Sequence, residues 1–374
     1  MNKLWIKKGK IGLWIIGLIL TGCGEKVPNL SESYEKWYTH ANSISVLSKG
    51  IFWTPTLDHQ EILRVNITKP GTETLNFTSE QGWEGMTIHR ITEVNDRTLA
   101  VWMLPASESK EDSVANNGSS FPAVVAIWNR KIEKIERVMS VPLEAAVQGI
   151  NAYVIDDNHI RRFILSQGEI INGAYITKFQ NPGDVLKIAA VSGPRLIFQV
   201  SAEDDQKNPE QHVLNYLIWD DQSRVPWSQI KVTLNFPIVS GSIFMIGNYE
   251  NKLFFQAETA SGIVVFQADT NGIDSLSELG TNVKSNVCVS ESGYYFFDSS
   301  QEKAGTTTNG ISLILKQATQ NELICTFENG ITADISPVGG YLLAQIVMPE
   351  GQTEQWLIHP QTGEKRFLQR IWVN

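Results

Sequence analysis

The sequence predicts an all-β fold: a single β-propeller of seven four-stranded blades, with six or eight compatible with the same spacing. Three observations carry the prediction. An apolar strand led in by a polar turn with Gly or Asn returns every ~40–57 residues. A second apolar strand, ending in its own polar turn, follows the first by ~15–25 residues. Helical periodicity nearly vanishes after Ile44.

The first phrase is clearest in Ser192-Gly193-Pro194-Arg195-Leu196-Ile197-Phe198. It returns as Glu250-Asn251-Lys252-Leu253-Phe254-Phe255, Glu291-Ser292-Gly293-Tyr294-Tyr295-Phe296-Phe297 and Val338-Gly339-Gly340-Tyr341-Leu342-Leu343. Asn95-Asp96-Arg97-Thr98-Leu99-Ala100-Val101 is an earlier copy, and Lys49-Gly50-Ile51-Phe52-Trp53 a shorter one. Taking Ile51, Leu99, Leu196, Leu253, Tyr295 and Leu342 as equivalent gives steps of 48, 97, 57, 42 and 47 residues. The step of 97 hides a degenerate copy near Ala152-Tyr153-Val154.

The second phrase appears in Val124-Val125-Ala126-Ile127-Trp128-Asn129, Tyr216-Leu217-Ile218-Trp219-Asp220, Val264-Val265-Phe266-Gln267-Ala268-Asp269 and Gln355-Trp356-Leu357-Ile358-His359-Pro360. Asp269-Thr270-Asn271-Gly272 and Pro360-Gln361-Thr362-Gly363 read as hairpin turns, where Gly supplies positive φ. Each period therefore holds four short strands, the unit of a propeller blade. The expected blades are 44–81, 85–141, 144–180, 184–237, 241–284, 286–330 and 331–374. Two stacked β-sandwich domains are the competing arrangement, and the regular period argues against them. A blade has two apolar faces, and stacking blades in a ring covers both while leaving only short edges unpaired. Trp128, Trp219 and Trp356 then read as residues packed between blades.

Three segments carry a helical signal. Tyr34, Trp37, Tyr38 and Ala41 fall at i, i+3, i+4 and i+7, so residues 23–43 read as a tether and a short helix preceding the propeller at 44–374. In Lys131–Met139, Ile132, Ile135 and Val138 are spaced by three, but the neighbouring phrases favour a strand. Leu143–Gln148 is briefly helical in pattern.

Composition agrees. The chain has 374 residues, 42% apolar and 19% charged, which excludes a disordered chain, a coiled coil and a polytopic membrane protein. Gly (28) outnumbers Pro (14), and there are 11 Trp, a balance that suits many short strands joined by turns. A formal charge of −9 argues against nucleic-acid binding, which relies on a basic surface to neutralise phosphates.

Residues 1–22 look like an export signal. Lys3, Lys7, Lys8 and Lys10 form a basic head, and Ile11–Leu20 an apolar run too short for a ~30 Å hydrocarbon core. Leu20-Thr21-Gly22-Cys23 follows directly, and the whole segment resembles a bacterial lipoprotein signal with its lipobox. In that family the Cys thiol receives a diacylglycerol, the signal is cut before it, and the new amino group is often acylated, for example with palmitate. The resemblance therefore implies lipidation at Cys23 and an extracytoplasmic protein anchored to a cell membrane. Cleavage removes four Lys and no acids, so the mature charge is 27 − 40 = −13. Anionic lipid repels such a chain, and two or three acyl chains have to hold it. The repeats, in turn, resemble bacterial envelope propellers of the broad TolB-like and quinoprotein-like kinds. Neither a Gly-His…Trp-Asp signature nor a strict quinoprotein blade motif is present.

Catalytic motifs are absent: there is no Gly-x-Ser-x-Gly elbow, no phosphate loop and no His-Glu-x-x-His helix. The His residues 40, 59, 89, 159, 212 and 359 have no metal-ligand spacing and fall in separate blades or the tether. Asp269–Asp274 starts like a calcium loop, but its Gly comes at position four and position twelve is Gly280, so a hairpin turn is expected. The acidic clusters Asp156-Asp157, Glu203-Asp204-Asp205 and Asp220-Asp221 read as solvated turns. Cys288 and Cys325 fall on the first and fourth strands of blade six. Those strands lie ~14 Å apart, beyond the ~7 Å Cα reach of a disulfide. Two free thiols are expected.

The long polar insertions Ser107–Ser120, Glu203–Gln211 and Ser299–Asn309 lie between the second and third strands of blades two, four and six. All three would emerge on one face, making it the expected partner site, with Asp204, Asp205, Glu302 and Lys303 among the contacts. The expected function is that of a non-enzymatic binding or scaffold protein for a protein or glycan partner at the cell envelope, with no cofactor or metal. The alternative is a propeller hydrolase or lyase acting on a polysaccharide or peptide at the central channel.

Overall fold

The computed structural model describes residues 30–39, 44–106, 122–156, 159–175, 185–192, 195–201, 213–220, 227–234, 236–239, 242–299, 310–318 and 320–372. Its strands form seven antiparallel four-stranded sheets, each built from one stretch of chain with neighbours in sequence order. Blade one holds β1 (Val46–Ser48), β2 (Ile51–Pro55), β3 (Ile62–Asn66) and β4 (Thr72–Leu75), followed by a single helical turn, α1 (Phe77–Glu80). Blade two holds β5 (Met86–Asn95), β6 (Thr98–Pro105), β7 (Pro122–Asn129) and β8 (Lys134–Pro142). Blade three holds β9 (Ala146–Gln148), β10 (Asn151–Asp156), β11 (His159–Ile164) and β12 (Glu169–Tyr175).

Blade four holds β13 (Val185–Ser192), β14 (Arg195–Ser201), β15 (Val213–Asp220) and β16 (Trp227–Thr233). Blade five holds β17 (Phe244–Tyr249), β18 (Lys252–Thr259), β19 (Gly262–Asp269) and β20 (Gly272–Gly280). Blade six holds β21 (Cys288–Val289), β22 (Tyr294–Asp298), β23 (Gly310–Lys316) and β24 (Asn321–Glu328). Blade seven holds β25 (Thr332–Val338), β26 (Tyr341–Val347), β27 (Gln352–Ile358) and β28 (Lys365–Trp372).

The two recurring phrases are the second and third strands of their blades. Lys131–Met139 runs into β8 as expected, whereas Leu143–Gln148 forms a turn and β9 rather than helix. Second strands are the most apolar because neighbouring blades cover both their faces: β6 is buried almost throughout, while β8 at the rim is largely exposed. The Asp269–Gly272 turn closes a hairpin, with Gly272 at φ 118° and the Asn271 amide donating to Asp269 Oδ1 at 2.7 Å.

Seven apolar clusters among the described residues correspond to the seven blade boundaries. Trp53, Ile62, Val101 and Trp128 join blades one and two; Trp102, Val125, Val154 and Phe163 join two and three. Ile160, Leu196, Phe198 and Leu217 join three and four; Tyr216, Ile230, Phe255 and Phe266 join four and five. Phe254, Val265, Phe296 and Ile314 join five and six; Phe297, Phe327, Ile335 and Leu342 join six and seven. Phe52, Val65, Leu343 and Leu357 join seven and one. The Trp expectation holds. Trp128 makes edge contacts with Trp53 and Phe77, each at 5.5 Å, Trp356 contacts Phe327 at 5.5 Å, and Trp219 packs on the cluster between blades three and four.

Among the described residues no sheet is shared between blades seven and one, and side chains close the ring there. Arg366 on β28 is fully buried and donates to three carbonyls of blade one: Asn66, Lys69 (3.1 Å) and Gly71 (2.7 Å). Gln369 accepts from the Leu57 amide at 3.0 Å and donates to the Pro55 carbonyl at 3.3 Å.

The helix expected over Tyr34–Ala41 is corrected for its described part: residues 30–39 are not helical. A helix would satisfy its own amides, but here the ring supplies the partners. Tyr38 N and Thr39 N donate to Val289 O, Asn248 N donates to Tyr38 O, and Trp37 bridges Ser290. The aromatic side chains are used one at a time. Trp37 meets Tyr295 at 5.2 Å, Tyr38 stacks on Tyr249 at 4.4 Å, and Tyr34 stays exposed.

Cys288 and Cys325 sit on β21 and β24, with two strands between them, and both are free. Burial raises both thiols, Cys325 to about 11.

Candidate functional site

Antiparallel strands put the turns between strands one and two, and between three and four, at one end of the ring. The connections between strands two and three, and the links between blades, lie at the other end. The three long insertions join β6 to β7, β14 to β15 and β22 to β23, so they leave the same end in alternate blades. Asp204, Asp205, Glu302 and Lys303 lie outside the described residues, as do Leu20, Thr21, Gly22 and Cys23.

A cavity of about 460 Å³ opens where first strands line the axis. Its wall is the later part of β5, from Arg90 to Asn95, with Asp96 of the turn that follows, flanked by Ser45 and Val46 of blade one and Val147 and Gly149 of blade three. Arg90 lies over Trp102, 4.1 Å from the ring centroid, and its two terminal nitrogens donate to Ala145 O at 3.3 Å. Burial lowers its pKa to about 10, so it stays charged at neutral pH. Its Nε has no hydrogen-bond partner among the described residues. Glu93 accepts from Ser48 Oγ and lies 3.6 Å from the Arg130 guanidinium. Asp96 accepts from Lys49 Nζ at 2.8 Å, and that ammonium holds the carboxyl below its usual range. The cavity thus presents both signs of charge around an apolar floor of Val46, Ile91 and Val147. Such a surface can seat a small polar group. Among the described residues of its lining there is no histidine.

At the insertion end, the structure joins two residues that the spacing had kept apart. His59, in the β2–β3 turn with φ 62°, stacks on His89 of β5, with centroids 5.5 Å apart and planes at 22°. His59 Nδ1 donates to Ile88 O at 2.8 Å, and His89 Nε2 meets Thr87 Oγ1 at 3.1 Å. Burial first, and His59 second, lowers the His89 pKa. Among the described residues no three His, Cys, Asp or Glu side chains converge as a metal site. The pair is legible only once blades one and two are known to abut.

The opposite end is crossed by a strap, residues 30–39. Leu30 packs into the cluster between blades seven and one, and its amide donates to Ile67 O at 3.1 Å. Ser31 N donates to Glu364 Oε2 at 2.9 Å, and Ser33 Oγ to Gly340 O. Glu35 is buried and accepts from Ser292 Oγ at 3.1 Å and from Gln361. The strap therefore runs from the boundary of blades one and seven, over blade seven, to the inner edges of blades six and five.

The structure defines a seven-bladed β-propeller with an axial cavity, one strapped end and one insertion-bearing end. No protein-family model matches the sequence, and no curated protein matches it. Among solved structures it is similar to one from a structural and mechanistic study of two prolyl endopeptidases, with TM-score 0.52 and 10% identity over 91% of this chain and 51% of that one. It is also similar to oligopeptidase B from Trypanosoma brucei, with TM-score 0.51 and 11% identity over 90% of this chain and 49% of that one. The chain thus spans about half the length of these peptidases. At such identities the likeness is one of fold.

Proposed function

We propose that the protein is a lipid-anchored, extracytoplasmic propeller that acts as a non-enzymatic binding or scaffold protein for a protein or glycan at the cell envelope. Cys23 carries the lipid, and the insertion-bearing end, with Asp204, Asp205, Glu302 and Lys303, meets the partner. The observation that supports this reading best is the departure of all three long connections from one end of the ring in alternate blades. Loops held on a closed scaffold are a common way to build a binding surface. The alternative, a hydrolase or lyase acting on a polysaccharide or peptide at the channel, draws support from the peptidases that share the fold.

Crosslinking and pull-down from native membranes test the proposal, with Cys23→Ala and a variant shortened in all three insertions alongside. One stoichiometric partner, retained by the parent chain and lost on shortening, is the expected result. Unchanged capture by the shortened variant would remove the insertions from the function. Recovery of cleaved glycan or peptide fragments would favour the enzyme.

A further inference from the structure

Resting on the reading of Cys23 as a lipid anchor, we infer that the strapped end of the ring lies against the bilayer and the insertion-bearing end points away from it. Length is the deciding quantity. From Cys23 to Leu30 there are seven residue steps, spanning at most ~25 Å when fully extended. Leu30 is pinned at the strapped end by its amide bond to Ile67 and by burial at the boundary of blades seven and one. A blade strand of seven residues, such as β26, is itself ~23 Å long. To bring the insertion end to the membrane, the tether would have to spend its whole length climbing the side of the ring. Bringing the strapped end there needs no such detour.

The chemistry of that end permits the contact, but the opposite end also exposes apolar side chains, Trp372 at 58% and Ile331 at 50% among them, so the length of the tether carries the inference. Tyr34 on the strap is 81% exposed, Ile132 in the β7–β8 turn 57% and Ile150 in the β9–β10 turn 40%. Lys36, Lys69 and Lys131 are exposed on the same end. Aromatic and aliphatic side chains beside lysines suit the headgroup region. Glu32, Glu133, Glu291 and Glu364 also lie there, so the charge is mixed and the acyl chains supply the attachment. The insertions, at the far end, carry eight acids against three lysines, a balance that anionic headgroups repel.

Orientation can be read with the lipidated full chain in phosphatidylcholine–phosphatidylglycerol vesicles that carry nitroxide-labelled headgroups. A fluorophore is placed on Lys131→Cys or Asn271→Cys at the strapped end, or on Gln60→Cys at the other; all three positions are exposed turns. Mass spectrometry of the N-terminal peptide checks the lipid. The expected result is loss of most emission at 131 and 271 and little loss at 60. Lipid on Cys23 with the quenching reversed or equal would overturn the orientation while leaving the anchor intact. An unlipidated Cys23 would overturn the anchor reading, and the orientation with it.

Discussion

Arg366, on the last strand of blade seven, donates from Nη2 to the carbonyl of Gly71 in blade one at 2.7 Å. The same guanidinium also reaches the carbonyls of Asn66 and Lys69. Replacing it, as in Arg366→Met, removes three charge-assisted hydrogen bonds to blade one at the ring's closing boundary. A loss of about 3–5 kcal/mol is expected from the three bonds to a charged donor. Urea denaturation measures it, and a midpoint equal to the parent's would show that the boundary closes without this side chain.

Trp128 closes the neighbouring boundary through apolar contact alone, wedged against Trp53 and Phe77. Trp128→Ala should cost about 3–5 kcal/mol, the usual range for an emptied aromatic site. Trp128→Phe should recover a large part of that stability in the same assay.

The strap can be displaced by a single methyl group added beneath it. A Cβ at Gly340 would run into the carbonyl oxygen of Ser33, and one at Gly247 into that of Tyr38. Gly340→Ala and Gly247→Ala should therefore raise hydrogen exchange at Tyr38 and Thr39 while leaving β18 and β26 protected. Unchanged protection across the strap would mean that it yields elsewhere at little cost.

The thiols predict an alkaline limit. Burial raises Cys325 from the ordinary 9.0 to about 11, so its neutral form is favoured by folding. That contribution is complete below pH 9 and is lost as pH rises through about 11, at no more than ~1.4 kcal/mol per pH unit for each thiol. Cys288 adds in the same direction. At pH 8, alkylation of native Cys325 should run about two orders of magnitude slower than that of free cysteine. Fast labelling would contradict its burial.

An acid limit follows from His89. Its pKa is lowered by burial and by His59, so folding favours the neutral ring. The contribution is present above the ordinary value of 6.5 and is lost as pH falls through the lowered one. His89→Gln should flatten the acid limb of a stability–pH profile between pH 4 and 7 (about that window, from the ordinary imidazole range). An unaltered limb would assign the acid sensitivity to other groups.

The ring was legible because second strands are covered on both faces and read as unbroken apolar runs, as Leu99–Leu104 does. Fourth strands such as β4 and β20 are largely exposed and carry no such run, so they were placed only by the period. Tyr34, Trp37 and Tyr38 pointed to a helix because their spacing is helical. The inner edges of blades five and six outbid that preference by offering backbone partners to an extended chain. The axial cavity left no signal, since a first strand that faces a channel can mix Arg90 and Glu93 with Ile91 and Val94. His59 and His89 meet through the packing of two blades, a relationship invisible along the chain.

The strap's attachment at Leu30 also has a mechanical consequence. The links between successive blades cross the other six boundaries, but none crosses the one between seven and one. Tension on the N-terminal segment arrives at that uncrossed boundary, where Leu30 is wedged. The chain then continues across blade seven to blades six and five, bonded along the way at Gly340, Ser292 and Val289. A pull is therefore shared by blades seven, six and five before it can peel the ring open, and the seam most exposed to load is the one the strap reinforces.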